Sequence, residues 1–203
     1  MTLADIARIL NSRARRGRGL PALLLLTDDA RGPDPEQATA RLPRGCGVVL
    51  RSYGLPESQR LALARRLATL CRRRGLRLLI AGDVGLAVAV GADGIHLPEG
   101  MARHGVLAPL LGWRRRRRGL LSVAAHGPAA LWRAGALGAD CALLSPVFPT
   151  SSHPGAPTIG TVRFAGWCRA APVPVLALGG VRVDSARRLM DSGAAGLATV
   201  GGV

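Results

Sequence analysis

Two pairs of glycines carry the clearest chemical signal in this 203-residue chain. The run VPVLALGG, residues 173–180, is a short apolar stretch that stops on Gly179-Gly180, and GLATVGGV, residues 196–203, stops in the same way on Gly201-Gly202. Glycines at a strand's exit leave backbone N–H groups open to a ligand, because no side chain stands in the way. Two such exits side by side make a cradle for an anion, phosphate above all. The plainer alternative is that these glycines only form tight turns. The histidines are the other candidates. His126 follows the apolar run SVAA, where a strand exit would set it at the rim of a site. An imidazole moves protons near neutral pH, which suits it to acid–base work. Its alternative role is a helix-entry residue bonded to loop backbone. His153 lies in a Pro/Ser/Gly-rich loop that can fold over the same rim, His96 inside GIHL reads as a core or supporting group, and His104 as an exposed helix residue.

Composition removes several classes of function. All 28 basic residues are arginine, against 12 acidic ones, for a net charge of +16. Without lysine there is no Schiff-base chemistry. Cys46, Cys71, Cys141 and Cys168 sit apart in apolar sequence with no CxxC, which predicts buried reduced thiols and a cytoplasmic protein. No stretch reaches the roughly 18 apolar residues of a membrane span, and the N-terminus does not read as a signal peptide. Arginine clusters at 13–18, 72–77 and 114–118 each precede a strand. In a barrel that places them on the N-terminal face, opposite the chemistry. A solvated face enriched by codon usage is the leading reading, and weak polyanion binding is the other.

A frame is needed to bring the strand exits together, and the pattern supplies one. Short apolar runs at 23–27, 47–51, 76–81, within 91–100, at 119–124, within 138–148, and in the two glycine-stopped segments make eight candidate strands. Helical patterns at 56–74, 83–90, 102–111, 128–137, 161–170 and 183–192, with a short one ending near Leu42, separate them. The triplet GAD or GAA recurs before strands at Gly91, Gly138 and Gly193, as repeated βα units would have it. The expected fold is therefore α/β, a single-domain (β/α)8 barrel over 1–203, with a helix and basic linker at 1–20. No helix follows the eighth strand, so the N-terminal helix is expected to cover that flank. Asp28 and Asp29 would stand at the lip of strand one, or cap its turn.

The segments GADGIHL, SVAAH, GADCALLSPVFPT, PVLALGGV and SGAAGLATVGG, in this order and spacing, resemble strands four to eight of the thiamine phosphate synthase/TenI family. The resemblance runs from about residue 23 onward. It implies a barrel acting on hydroxyethylthiazole phosphate, with the phosphate held at Gly179, Gly180, Val200 and Gly201. Synthases of the family join that phosphate to a pyrimidine pyrophosphate and need magnesium. Against their pattern Arg51 and Thr150 are kept and Ser152 is a mild change. The lysine two residues past the arginine is Tyr53, the Asn-Asp pair after strand three is Ala81-Gly82, and the acidic residue after strand four is Met101. A serine becomes Ala124, and the lysine of the loop after strand six becomes His153.

Magnesium wants carboxylate oxygens in octahedral geometry, and both family carboxylate positions are gone. Asp83 is one residue along and is expected to point elsewhere. The resemblance then favours the TenI branch, a thiazole tautomerase that shifts protons without metal or other cofactor. His126 matches that branch's catalytic histidine, with His153 as partner and Arg51, Thr150 and Ser152 as further pocket residues. A magnesium-dependent synthase is the alternative, and a non-catalytic binding or regulatory barrel is the third reading. The small-molecule partner is a phosphorylated thiazole, and a homo-oligomer is left open.

Overall fold

The structure, a computed structural model, describes residues 1–14, 17, 19–28, 33–104, 110, 112–114, 119–150, 155 and 157–200. In chain order these form α1 (Leu3–Arg13), β1 (Leu23–Leu26), α2 (Pro35–Arg41), β2 (Gly47–Leu50), α3 (Glu57–Arg74), β3 (Arg77–Ala81), α4 (Val84–Val90), β4 (Gly94–Leu97) and α5 (Glu99–His104). They continue with β5 (Leu120–Ala125), α6 (Pro128–Ala136), β6 (Cys141–Leu144), α7 (Gly160–Ala170), β7 (Val175–Ala177), α8 (Val183–Arg187) and β8 (Gly196–Val200). The eight strands run parallel in sequence order, and β1 pairs with both β2 and β8, closing the barrel.

Closure explains why the strands read as continuous apolar runs. Alternate residues face two different cores: Leu24, Leu26, Val49, Leu79, Leu143 and Leu176 fill the barrel, while Leu23, Leu25, Val48, Leu50 and Leu78 meet the helices. A strand covered on both faces has no position left for a solvated side chain except at its ends, as at Arg77.

The N-terminal helix has the role its sequence suggested. Thr2 caps α1, accepting from the Asp5 N–H at 3.2 Å, and Leu3, Ile6, Ala7 and Leu10 bury one face. The helix packs on β1, β8 and α8. Asn11 Nδ2 fastens it, donating to the Ala195 carbonyl at 2.8 Å and the Gly17 carbonyl at 3.3 Å.

Two helices differ from expectation. The helix after β4 begins at Glu99 rather than 102, because the Pro98 carbonyl already accepts from the Ala102 N–H at 3.1 Å. The last helix stops at Arg187 rather than 192, since Leu189, Met190 and Ser192 donate to carbonyls three residues back, which tightens the chain out of α-geometry. The described arginines of the clusters at 13–18, 72–77 and 114–118 do gather at the strand-start end. Arg13 lies 3.6 Å from Asp191, Arg114 lies 3.1 Å from Asp140 and also bonds the Gly138 carbonyl, and Arg74 bonds the Leu42 carbonyl at 3.3 Å. Residues 115–118 lie outside the described residues. All four cysteines are free, and burial pushes Cys71, Cys141 and Cys168 up to about 12, which keeps them protonated and unreactive. Among the described residues no helix is long and apolar enough to cross a membrane.

Candidate active site

The C-terminal ends of the strands carry the polar groups. At the first two exits, Thr27 Oγ1 accepts from the Arg51 N–H at 2.9 Å and lies 3.3 Å from Ser52 Oγ, which locks the backbone beneath the Arg51 side chain. Arg51 is one-third exposed, with Nη2 4.0 Å from Asp28 Oδ2, so it brings a positive charge to the mouth. Asp29 lies outside the described residues. His96 is on β4, with Nδ1 2.9 Å from Ser122 Oγ on β5. Burial, and after it the Arg51 charge, lowers its pKa to about 4. It is therefore neutral at pH 7, a supporting group of the interior as its place in GIHL suggested.

Gly82 and Met101, the two positions where the family's carboxylates are lost, face each other. A Cβ on Gly82, whose φ is +70°, would stand 3.1 Å from Met101 Sδ. Asp83 does not take over. Its Oδ1 accepts from the Leu86 N–H at 2.8 Å as the cap of α4, and its Oδ2 pairs with Arg60 Nη1 at 3.0 Å. Arg60 in turn donates from Nη2 to the Ala81 carbonyl at 2.8 Å and lies 5.7 Å over the Tyr53 ring. Among the described residues no cluster of three or more His, Cys, Asp or Glu side chains is present. A thioether and a hydrogen offer magnesium no hard oxygen, so the ion does not fit this pair of positions.

His126 follows β5. Its Nδ1 lies 2.9 Å from the Ser145 carbonyl, which can only accept, so Nδ1 carries the proton of the neutral ring. Nε2 is then the ring nitrogen that bears no proton in the neutral form. It lies 3.9 Å from Glu99 Oε2, and Glu99 Oε1 is 3.9 Å from Arg133 Nη1. Glu99 is a residue that reading the sequence missed. The pattern gives a helix stop and a strand within 91–100 and begins the next helix at 102, whereas Glu99 opens α5 and turns a nearly buried carboxylate toward the imidazole.

At β7 the chain passes through Gly179 and Gly180, with φ of +90° and +63°. The glycines have a reason beyond ligand approach. A Cβ on Gly179 would lie 2.7 Å from Pro146 Cα, and one on Gly180 would lie 2.8 Å from Phe148 Cβ. Their bare backbones let the loop after β6 dock, with the Val147 N–H donating to the Leu178 carbonyl at 2.9 Å and the Phe148 N–H to the Gly179 carbonyl at 3.0 Å. Ser185 Oγ ties the turn, donating to the Gly180 carbonyl and accepting from the Arg182 N–H, each at 2.9 Å. Among the described residues neither the Gly179 nor the Gly180 N–H has a backbone acceptor. Val200 ends β8 on the same rim and Thr150 ends the first described stretch of the β6 loop, while Ser152, His153 and Gly201 lie outside the described residues. One mouth thus gathers backbone donors at β7, a cation at β2 and an imidazole at β5.

The model of a family described as thiamine monophosphate synthase matches residues 23–203. The chain is 36% identical over 149 residues to a thiamine-phosphate synthase of Levilactobacillus brevis, covering 72% of this chain and 67% of the relative. It is 31% identical over 156 residues to the thiamine-phosphate synthase of Prochlorococcus marinus, a longer protein of which it spans 43% while 77% of this chain is covered. Among solved structures it resembles a thiamine phosphate pyrophosphorylase from Pyrococcus furiosus, with a TM-score of 0.73, 23% identity, and coverage of 90% of this chain and 86% of that one. These names carry the synthase activity, so they do not support the preference for tautomerisation drawn from the lost carboxylates. The fold, the five ordered motifs and the match across nearly the whole chain lead to one conclusion: this protein belongs to the thiamine monophosphate synthase/TenI family of enzymes.

Proposed function

We propose that the barrel mouth binds a thiazole phosphate and carries out the reaction its relatives are named for, transfer of a pyrimidine from its pyrophosphate onto the thiazole. The supporting observation is the pairing of a backbone cradle at Gly179-Gly180 with the Arg51 cation on the same rim. In the transfer, the thiazole nitrogen gives its electron pair to the pyrimidine's methylene carbon. The bond from that carbon to the pyrophosphate oxygen breaks, and pyrophosphate leaves with the electrons. On this reading the N–H groups of Gly179 and Gly180, with Val200 and Gly201, hold the thiazole's phosphate, and Thr150 and Ser152 are the further pocket residues the sequence offers. Arg51, set in place through Thr27, opposes the charge that builds on the leaving group. No step runs through a metal, because Gly82 and Met101 cannot hold one. The transfer is therefore expected to be slower than in a synthase that keeps its carboxylate pair.

A second reading rests on His126. Isomerising a thiazole carboxylate phosphate removes a proton from one carbon and returns one to another, and needs neither metal nor lysine. The Ser145 carbonyl fixes the ring so that Nε2 does the exchange, and Glu99 stands ready to pair with the imidazolium. His153 is the partner the sequence offers. The two readings separate in a single-turnover experiment on the purified protein. Thiamine phosphate formed from both substrates, with His126→Asn still active, supports the transfer. Conversion of the tautomer alone, slowed about 10²- to 10⁴-fold by His126→Asn, replaces it with the second reading. Tight binding with neither product leaves a non-catalytic barrel.

A further inference from the structure

The run at 114–118 is the most conspicuous basic segment of the sequence, yet the structure points to another part of the N-terminal face. The loop before β2 and the loop before β3 are zipped together: the Gly45 N–H donates to the Gly75 carbonyl at 3.0 Å, and the Arg77 N–H to the Cys46 carbonyl at 3.0 Å. The Arg44 side chain lies across Gly75, where a Cβ would meet its Cγ at 3.0 Å and its Nε at 3.1 Å. This brings Arg41, Arg44, Arg72, Arg73, Arg74 and Arg77 to one corner, all of them exposed.

The charge of this corner is not cancelled. Arg74 and Arg72 bond carbonyls, of Leu42 at 3.3 Å and Val90 at 3.5 Å, and neither carries a carboxylate partner among the described residues. The C-terminal ends of α2 and α3 together contribute about one negative elementary charge against six guanidiniums. Asp93, the nearby carboxylate, accepts from the Leu78 N–H at 2.8 Å and adds one further negative charge, which still leaves the guanidiniums in excess. Arg114, by contrast, is paired with Asp140.

We infer that this corner binds the phosphate backbone of a double-helical nucleic acid. Guanidiniums recognise phosphates in bidentate fashion, and several at one corner match the regular charge of a duplex. None of the six is interleaved with an exposed aromatic ring, so single strands have nothing to stack on. Among the described residues the exposed large apolar ones, Met1, Tyr53, Val88, Met101, Trp132 and Val162, lie outside both loops, which leaves no wedge there for insertion into a membrane.

The test compares two full-length variants that lose the same charge. One is Arg44→Ser, Arg73→Ser, Arg77→Ser, and the other is Arg163→Ser, Arg169→Ser, Arg187→Ser at exposed positions of α7 and α8. Binding to a mixed-sequence DNA duplex is read by fluorescence anisotropy across a sodium chloride series, with phosphatidylserine vesicles as a parallel arm. The corner variant should bind about tenfold more weakly, with the slope of log K against log salt reduced by about 2 to 3, and the second variant should stay close to the unsubstituted protein. Equal losses in both variants would show net charge and no site. Absence of duplex binding, or binding to vesicles without binding to duplex, would also overturn the inference. Circular dichroism of each variant checks that the barrel is intact. Because the corner lies at the opposite end of the barrel from the mouth, thiazole phosphate affinity should not change.

Discussion

Replacing Gly180 with alanine separates what the glycine does for the backbone from what it does for the neighbouring loop. Gly91 is the control: its φ is the same +63°, and a Cβ there meets nothing within 4 Å. Gly91→Ala therefore measures left-handed backbone strain by itself, about 1–2 kcal/mol. Gly180→Ala incurs that strain and also drives a methyl group against Phe148 Cβ and the Pro149 carbonyl. Forcing atoms into a packed site costs about 1–3 kcal/mol more, so the total is about 2–5 kcal/mol. Urea unfolding of both variants, followed by circular dichroism, gives the difference directly. A second readout is affinity for thiazole phosphate, which should weaken for Gly180→Ala and stay unchanged for Gly91→Ala. Equal destabilisation of the two variants would refute the claim that the β6 loop is seated on Gly180. A normal ligand affinity in Gly180→Ala would refute its place in the cradle.

Other outcomes follow from the same geometry. His96 has a folded pKa of about 4 against 6.5 for the free side chain, so the unfolded chain binds the extra proton first. Stability is then fully present above pH 6.5 and falls between 6.5 and about 4, by on the order of 3 kcal/mol, and urea titrations across that range should lose this limb in His96→Gln. On the second reading, Glu99→Gln keeps the side chain's size but removes the charge facing His126 and Arg133, and should slow tautomerisation several-fold, about 1 kcal/mol, at unchanged thiazole phosphate affinity. Unchanged turnover would leave Glu99 a packing residue. Asn11→Ala removes the bond that fastens α1 to the Ala195 carbonyl and should cost about 1–3 kcal/mol in thermal unfolding; a silent substitution would mean the helix is held by its apolar face.

The barrel was legible because its signals are local and repeated. A strand buried on both faces has to be a continuous apolar run, as LLLL at β1 and CALL at β6 are, and Gly75 and Gly91 stop α3 and α4 where the pattern stops. The candidate site was legible where residues sit next to a strand exit, as Arg51, His126 and Gly179-Gly180 do. Glu99 was hidden because its partners are distant in sequence: His126 on the next exit and Arg133 on α6. The same holds for Asp83. Its neighbour Gly82 signalled a loss, but only the approach of Arg60, 23 residues earlier in the chain, shows what Asp83 does instead. The docking of residues 146–149 onto Gly179 and Gly180 is likewise a meeting of two exits, and no spacing along the chain announces it. The arginine corner is of the same kind, since it is built from two loops that only the β2–β3 pairing brings together.

The most direct test of the central claim is a crystal of the protein soaked with hydroxyethylthiazole phosphate. The account predicts phosphate oxygens within hydrogen-bond distance of the Gly179 and Gly180 N–H groups, with the thiazole ring facing the mouth between Arg51 and His126. A phosphate bound elsewhere on the barrel, with the β7 exit empty at saturating ligand, would contradict it.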